Sequence, residues 1–230
     1  MKCCNPVHCT CCEETTVYPD LNLFLSGKIS NEGALAVMTR ANPLDVFLSW
    51  YEEAKCSAPI DPDIIALATA TPDGRPSVRM VLFRGLREGG FSFFTNYQSR
   101  KGLELSENPF AAIVFYWAHL GKQVRIEGAV EPLSVEASDT YFRQRPLLSQ
   151  ITANVSLQSR PMPDEHEFLK RLEELEESSK TSPVLRPPEW GGFKLMPVRY
   201  EFWTHREHRR HERVLYEQSG KEWKQSRLHP

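Results

Sequence analysis

The chain has no long apolar run. Its longest, Phe110 to Ala118, is nine residues, and a membrane-spanning helix needs about 20, so no transmembrane segment is expected. The opening Met1-Lys2-Cys3-Cys4-Asn5-Pro6 lacks an apolar signal-peptide core, which argues against secretion. Positive charge is not in excess: 28 Lys and Arg stand against 30 Asp and Glu, a net charge of −2. Binders of nucleic acid or anionic membrane are normally more basic, so neither partner is expected. There is no G-x-G-x-x-G turn and no regular strand–helix alternation, which speaks against a dinucleotide-binding Rossmann domain. Cysteine is scarce in the body. Five of six (Cys3, Cys4, Cys9, Cys11, Cys12) lie in the first twelve residues, and only Cys56 lies beyond them. A disulfide framework would be spread along the chain, so the body reads as a reduced, cytoplasmic domain.

What is present is ordinary globular composition: 230 residues, 40% hydrophobic and 25% charged. That suits one large domain or two small ones. Residues 1–41 are polar and irregular and read as a flexible, Cys-rich arm. Cys3 to Cys12 with His8 have the residue types for a soft metal or an acyl chain. Their spacing matches no paired-knuckle pattern and Lys2 excludes amino-terminal myristoylation, so no metal is assigned. The ordered domain is expected over 42–230.

Asn42-Pro43 is an N-cap followed by proline at the first helical position. Leu44, Phe47, Trp50 and Tyr51 recur at helical spacing, giving a helix over 43–55. Strands are expected at 64–71, 77–83 and 91–96, separated by turns at Pro72-Asp73-Gly74-Arg75 and Gly89-Gly90. A short helix from Ser99 to about Asn108 precedes a strand at 110–117, whose continuous hydrophobicity predicts burial of both faces. A strand at 123–130 and helices at 134–145 and 164–179 follow. The second helix has an Asp164/Glu167 cap and a Phe168, Leu169, Leu172, Leu175 stripe expected to serve core or partner packing. Residues 180–190 read as a loop, and strands close the chain at 192–203, 209–216 and 222–228. Many short hairpin-linked strands with intervening helices predict a mainly β, antiparallel, Greek-key-like barrel, closed or nearly so.

Four clusters carry candidate chemistry. The helix after Asn96 opens with Ser99-Arg100-Lys101, two cations where the helix dipole disfavours them. An anion such as phosphate would resolve the conflict; so would surface solvation with Glu104 offsetting the charge. Arg79 sits in an otherwise apolar strand and needs a counter-anion, either a buried carboxylate or that phosphate. Tyr141 and Arg145 lie one helical turn apart, and Ser149 is placed in the loop after Pro146. Together they suit a phosphate dianion. In Thr204 to Arg213, a strand starting at Arg209 would align Arg209, His211 and Arg213 on one face. That face suits substrate anchoring better than nucleic acid or metal.

These segments together resemble the pyridoxamine (pyridoxine) 5'-phosphate oxidase family, from about Asn42 to Pro230. The matching stretches are Arg79-Met80-Val81-Leu82, Phe94-Thr95-Asn96 with Ser99 to Gly102, Gln123 to Gly128, Tyr141-Phe142 through Arg145-Pro146, Ser156 to Ser159, Glu201-Phe202-Trp203, Arg209 to Arg213, and Arg227 to Pro230. The resemblance implies an FMN-binding split β-barrel working as a homodimer, with FMN at the subunit interface. It implies that Arg79, Arg100 and Lys101 hold the FMN phosphate region, with Met80, Val81, Leu82, Phe94 and Thr95 along the flavin. Gln123, Gln158, Ser159, Trp203 and Arg213 would complete that site. Tyr141, Arg145, Ser149 and Arg84 would grip the substrate phosphate, and Arg209 and His211 would lie over the pyridine ring as the catalytic, polarising pair. The implied reaction is oxidation of pyridoxamine or pyridoxine 5'-phosphate by O2 to pyridoxal 5'-phosphate, with H2O2 released.

Three departures from the family pattern stand out. Arg84 replaces a lysine, Arg210 replaces the leucine of an Arg-Leu-His motif, and the arm lacks an Arg-x-x-Tyr segment. The alternatives are a related flavoenzyme acting on a phenazine-type substrate and a non-catalytic FMN- or pyridoxal-phosphate-binding protein.

Overall fold

The computed structural model describes residues 42–57 and 59–230; the Cys-rich arm therefore lies outside the described residues. The chain divides into two units, Met1–Val46 and Phe47–Pro230. Helix α1 is Pro43–Ser57, and at its start the Asn42 Oδ1 accepts the Leu44 N–H at 3.0 Å, as an N-cap should. No helix among the described residues is long and apolar enough to cross a membrane.

Nine strands make up one antiparallel sheet among the described residues: β1 Ile64–Ala70, β2 Pro76–Leu82, β3 Leu86–Arg87, β4 Gly90–Asn96, β5 Phe110–Trp117, β6 Lys122–Pro132, β7 Trp190–Thr204, β8 Glu212–Ser219 and β9 Glu222–Arg227. Their order is β2-β1-β5-β6-β7-β4-β3, with β8 on β7 and β9 on β8. The sheet curls but no ladder closes it. Its two ends meet where the chain leaves β2, as Arg84 N–H donates to the Ser92 carbonyl at 2.8 Å. The barrel is split rather than closed. Strand β7, 15 residues long, pairs with β4, β6 and β8 and ties the halves together. At the centre Phe47 of α1, fully buried, contacts the rings of Phe83, Phe91 and Phe115.

Helix α2 is Arg100–Glu107 with Ser99 as N-cap. Helices α3 Val135–Gln144, α4 Leu147–Val155 and α5 Glu165–Ser178 fill the β6–β7 connection. Asp164 caps α5 through the Glu167 N–H at 3.1 Å.

Four expectations need correction. Strand β5 alternates instead of burying both faces: Ile113, Phe115 and Trp117 are buried, while Phe110 and Tyr116 are about 60% exposed. Aromatic residues can be apolar and still face outward, so hydrophobicity alone did not fix the period. Ser149 lies in helix α4, because Pro146 ends α3 and at once starts the next helix from its N-terminal side. Of the two roles expected for the α5 stripe, core packing is excluded, since no α5 residue is buried. Finally, the last strand pair begins at Glu212. Residues Glu207–Arg209 form a 3-10 turn in which His208 and Arg209 have φ of 55° and 58°. A left-handed pair breaks strand alternation, so Arg209, His211 and Arg213 do not share one strand face.

Candidate functional site

Strand β2, the start of α2, helices α3 and α4, and the first residue of β7 surround a cavity of about 940 Å³. It brings together Arg79, Met80, Val81, Leu82, Arg84, Phe94, Thr95, Arg100, Lys101, Tyr141, Arg145, Ser149, Gln158 and Ser159. These residues are scattered over eighty positions in sequence, and the fold assembles them around one cavity.

The cavity holds three kinds of cation. Arg79 is engaged by the protein: one Nη donates to Leu67 O and Thr69 Oγ1, the other to Ser77 and to Glu104 Oε2 at 3.3 Å. Glu104 is the buried carboxylate that the sequence left as an alternative. Its side chain is 5% exposed. It also accepts from the Thr69 and Ser77 hydroxyls and from Arg100 Nε at 2.9 Å. Burial alone would raise its pKa. The hydrogen bonds from Ser77, Thr69 and Arg100, with the Arg79 charge, outweigh burial and pull it down to about 2.

Lys101 is a different case. It is buried, and its ammonium donates only to neutral oxygens: Thr95 Oγ1 at 3.0 Å, Ser99 Oγ at 3.2 Å and Gln158 Oε1 at 3.3 Å. Desolvation, then repulsion from Arg79, lowers its pKa to about 8, with Glu104 opposing. A buried ammonium at a helix N-terminus without a bonded carboxylate fits a phosphate-bearing group. Phosphate binding should therefore weaken as pH rises through about 8 and Lys101 loses its proton, measured by titration of the apoprotein between pH 6.5 and 9.5. A flat profile would remove Lys101 from the anion site.

Arg145 is the third kind. It is half-buried, and no carboxylate pairs with it among the described residues. One terminal nitrogen, Nη1, is buried without a hydrogen-bond partner. Desolvation depresses its pKa, Tyr141 opposes, and the Arg84 charge adds to the depression. Arg84 stands 3.7 Å from Asp63, which in turn accepts from the Tyr51 hydroxyl. Tyr141 stacks on Phe94 at 3.9 Å.

Five expected residues do not line this cavity. Trp203, Arg209 and His211 line a second one of about 740 Å³ with His205, Arg206, Glu207 and His208. There the His211 ring lies against Trp203, centroids 4.6 Å apart and the planes tilted by 42°. Its Nδ1 accepts the Arg206 N–H at 3.2 Å, which leaves Nε2 to carry the proton of the neutral ring. Gln123, Trp203 and Arg213 are register neighbours across β6, β7 and β8. Arg213 is held by Glu201 at 2.7 Å and by the His229 carbonyl at 3.1 Å. Trp190 and Glu104 were not singled out as site residues from sequence. The i, i+4 spacing of Arg100 and Glu104 was a usable signal for one, and the Gly191-Gly192 pair after Trp190 for the other.

Comparison with known proteins gives a consistent picture. A family model described as pyridoxamine 5'-phosphate oxidase matches residues 53–179. A second, described as the pyridoxine 5'-phosphate oxidase C-terminal dimerisation region, matches residues 190–230. Curated relatives named pyridoxine/pyridoxamine 5'-phosphate oxidase include one from Coxiella burnetii, 49% identical over 83% of this chain and 96% of its own. Another, from Rubrobacter xylanophilus, is 48% identical over 82% and 87%. Among solved structures, PhzG from Burkholderia lata 383, in complex with tetrahydrophenazine-1-carboxylic acid, superposes with a TM-score of 0.78 at 33% identity, covering 82% of this chain and 93% of its own. A pyridoxamine 5'-phosphate oxidase-related, FMN binding protein from Nostoc punctiforme gives 0.68 at 21% identity over 83% and 99%, a likeness of fold.

Proposed function

The chain belongs to the pyridoxamine 5'-phosphate oxidase family, and on that premise we propose that it is an FMN-dependent enzyme that oxidises pyridoxamine or pyridoxine 5'-phosphate to pyridoxal 5'-phosphate. The observation that carries the substrate assignment is Arg145, a half-buried guanidinium with an unpartnered Nη1, in the same cavity as Tyr141, Ser149 and Arg84. Hydroxyl and guanidinium donors around one space suit the phosphate that both substrates carry.

Lys101, with the α2 N-terminus and the Arg79–Glu104–Arg100 cluster beside it, would hold the FMN phosphate, and Met80 to Leu82, Phe94, Thr95, Gln158 and Ser159 would border the flavin. When bound, FMN supplies the two-electron acceptor that dioxygen restores with release of hydrogen peroxide. The protein's part is placement and charge. Tyr141, Arg145, Ser149 and Arg84 anchor the phosphate, fixing the distance of the pyridine ring from the cofactor. Arg209 and the Nε2–H of His211 polarise the ring.

On one chain these last two residues line the second cavity, so the reading requires two protomers. The dimerisation-region match supports this. So does an apolar sheet face on which Val78, Met80, Phe110 and Tyr116 are each about 60–70% exposed. A symmetric homodimer would bring Gln123, Trp203, Arg209, His211 and Arg213 of one protomer to the cavity of the other.

The test is complementation. The purified protein should be yellow, release FMN, and turn over pyridoxine 5'-phosphate with peroxide formation. Arg145→Ala and Arg209→Ala homodimers should each be nearly inactive. After the two are unfolded together and refolded, the mixture should regain about a quarter of wild-type activity, because about half the particles are mixed dimers and each of those holds one intact site of two. No recovery would show that the two sets act within one protomer. A colourless protein, or one indifferent to pyridoxine 5'-phosphate, would overturn the assignment as a whole. The likeness to PhzG makes a phenazine precursor the competing substrate; turnover of that compound but not of pyridoxine 5'-phosphate would favour it.

A further inference from the structure

Each cation in the main cavity is held by something, and Arg145 is held differently from the rest. Arg79 and Arg100 are bound to Glu104, and Arg84 lies beside Asp63. Arg145 instead has its guanidinium carbon 4.5 Å from the centre of the Trp190 ring and 5.8 Å from that of Phe142. A carboxylate would orient a guanidinium but also neutralise it and occupy its donors. An aromatic face orients it and leaves its in-plane N–H groups free.

We propose that Trp190 is the positioning residue for Arg145: its indole face sets the guanidinium across the cavity with its donors uncommitted, ready for the substrate phosphate. The inference rests on the reading of Arg145 as a phosphate anchor.

The surroundings of Trp190 fix it for this role. It is 6% exposed and lies nearly parallel to Phe94 and Tyr141, at interplanar angles of 16° and 5°. Arg145 thus caps an aromatic layer that also carries the Tyr141 hydroxyl. The following glycines permit this packing. A Cβ on Gly191 would collide with the Tyr97 hydroxyl, and one on Gly192 would stand 2.8 Å from Phe94 Cε1. Arg186 ties the two elements together. Its Nη1 donates to the Trp190 carbonyl at 2.6 Å, and its Nε to Asp139. Asp139 is on α3, the helix that carries Tyr141 and ends at Arg145. The Arg186–Asp139 pair therefore ties the backbone at Trp190 to the middle of the helix whose C-cap is Arg145.

The experiment measures KM and kcat for pyridoxine 5'-phosphate, the inhibition constant of inorganic phosphate, and FMN content in four variants of the holoenzyme. Trp190→Leu should raise KM and the phosphate inhibition constant together by about 3- to 30-fold, the worth of a desolvated cation–π contact. FMN content should be unchanged and kcat should stay within about twofold. Trp190→Phe, which keeps a ring face, should recover most of the loss. Arg186→Met, outside the cavity, should shift KM in the same direction by a smaller factor. If the leucine variant does not fold, the decision rests on Arg186→Met, for which an unaltered KM overturns the proposal. An unaltered KM in a folded Trp190→Leu enzyme does the same, as does a fall in kcat at constant KM. Arg145→Ala is the fourth variant. If it leaves KM and phosphate inhibition untouched, the anchor reading itself fails; if it shifts both while Trp190→Leu shifts neither, only the role of Trp190 fails.

Discussion

Arg145→Ala should lower kcat/KM for pyridoxine 5'-phosphate by roughly 30- to 1,000-fold, about 2–4 kcal/mol, while the protein keeps its flavin. The size follows from the environment. The guanidinium has already lost much of its hydration, and burial has depressed its pKa. Nη1 has no protein partner, so a bound phosphate gains a nearly bare charge and its removal leaves phosphate oxygens unpaired in a desolvated site. Arg145→Lys should fall between, because lysine keeps the charge but loses the planar fork and the stack on Trp190. Unphosphorylated pyridoxine should react poorly with the wild type and equally poorly with the variant. Steady-state peroxide release with both substrates checks this. Equal losses for both would mean that Arg145 supports the fold of the α3–α4 corner and does not recognise phosphate.

Glu104→Ala should destabilise the protein by about 3–5 kcal/mol, the usual cost of removing one partner from a buried ion pair. The carboxylate is the common acceptor for Arg79, Arg100, Thr69 and Ser77. Without it, Arg79 remains in strand β2 with its charge uncompensated and with Lys101 nearby. A change of that size in a domain of this length corresponds to a fall in Tm of roughly 6–20 °C.

The pH dependence has a definite sign. The folded-state pKa is depressed from 4.5 to about 2. The stabilisation is therefore complete above the unfolded value near 4.5 and is lost as pH falls toward 2. Urea denaturation of wild type and Glu104→Gln should show a large gap at pH 7 that narrows progressively below pH 4.5. A gap that is constant with pH would show that the charge on Glu104 is not what stabilises the fold.

The sequence by itself determined the local structure and the inventory of charged groups. Asn42 and Asp164 cap helices as their residue types predict, and helices begin at Ser99 and Ser134 where the sequence pattern starts them, because a cap is completed within three residues. The hairpin expected at Gly89-Gly90 forms one residue earlier, with Glu88 and Gly89 in the turn, Gly89 at a φ of +83°, and Gly90 opening β4. Tyr141, Arg145, Ser149 and Arg84 are grouped by family resemblance, and one cavity holds all four.

Tertiary structure decided which of those charges are neutralised and which are free. Arg79 meets Glu104 across 25 residues of chain, a pairing that depends on how β2 and α2 pack. Arg145 and Trp190 are brought together only when β7 begins against α3. The split of the expected site into two cavities was likewise invisible along the chain, since the resemblance names residues but not the protomer that supplies them. Caps and turns are closed by contacts a few residues long, whereas the partner of a buried charge is set by the three-dimensional path of the backbone, and that path is fixed only when the whole sheet has formed.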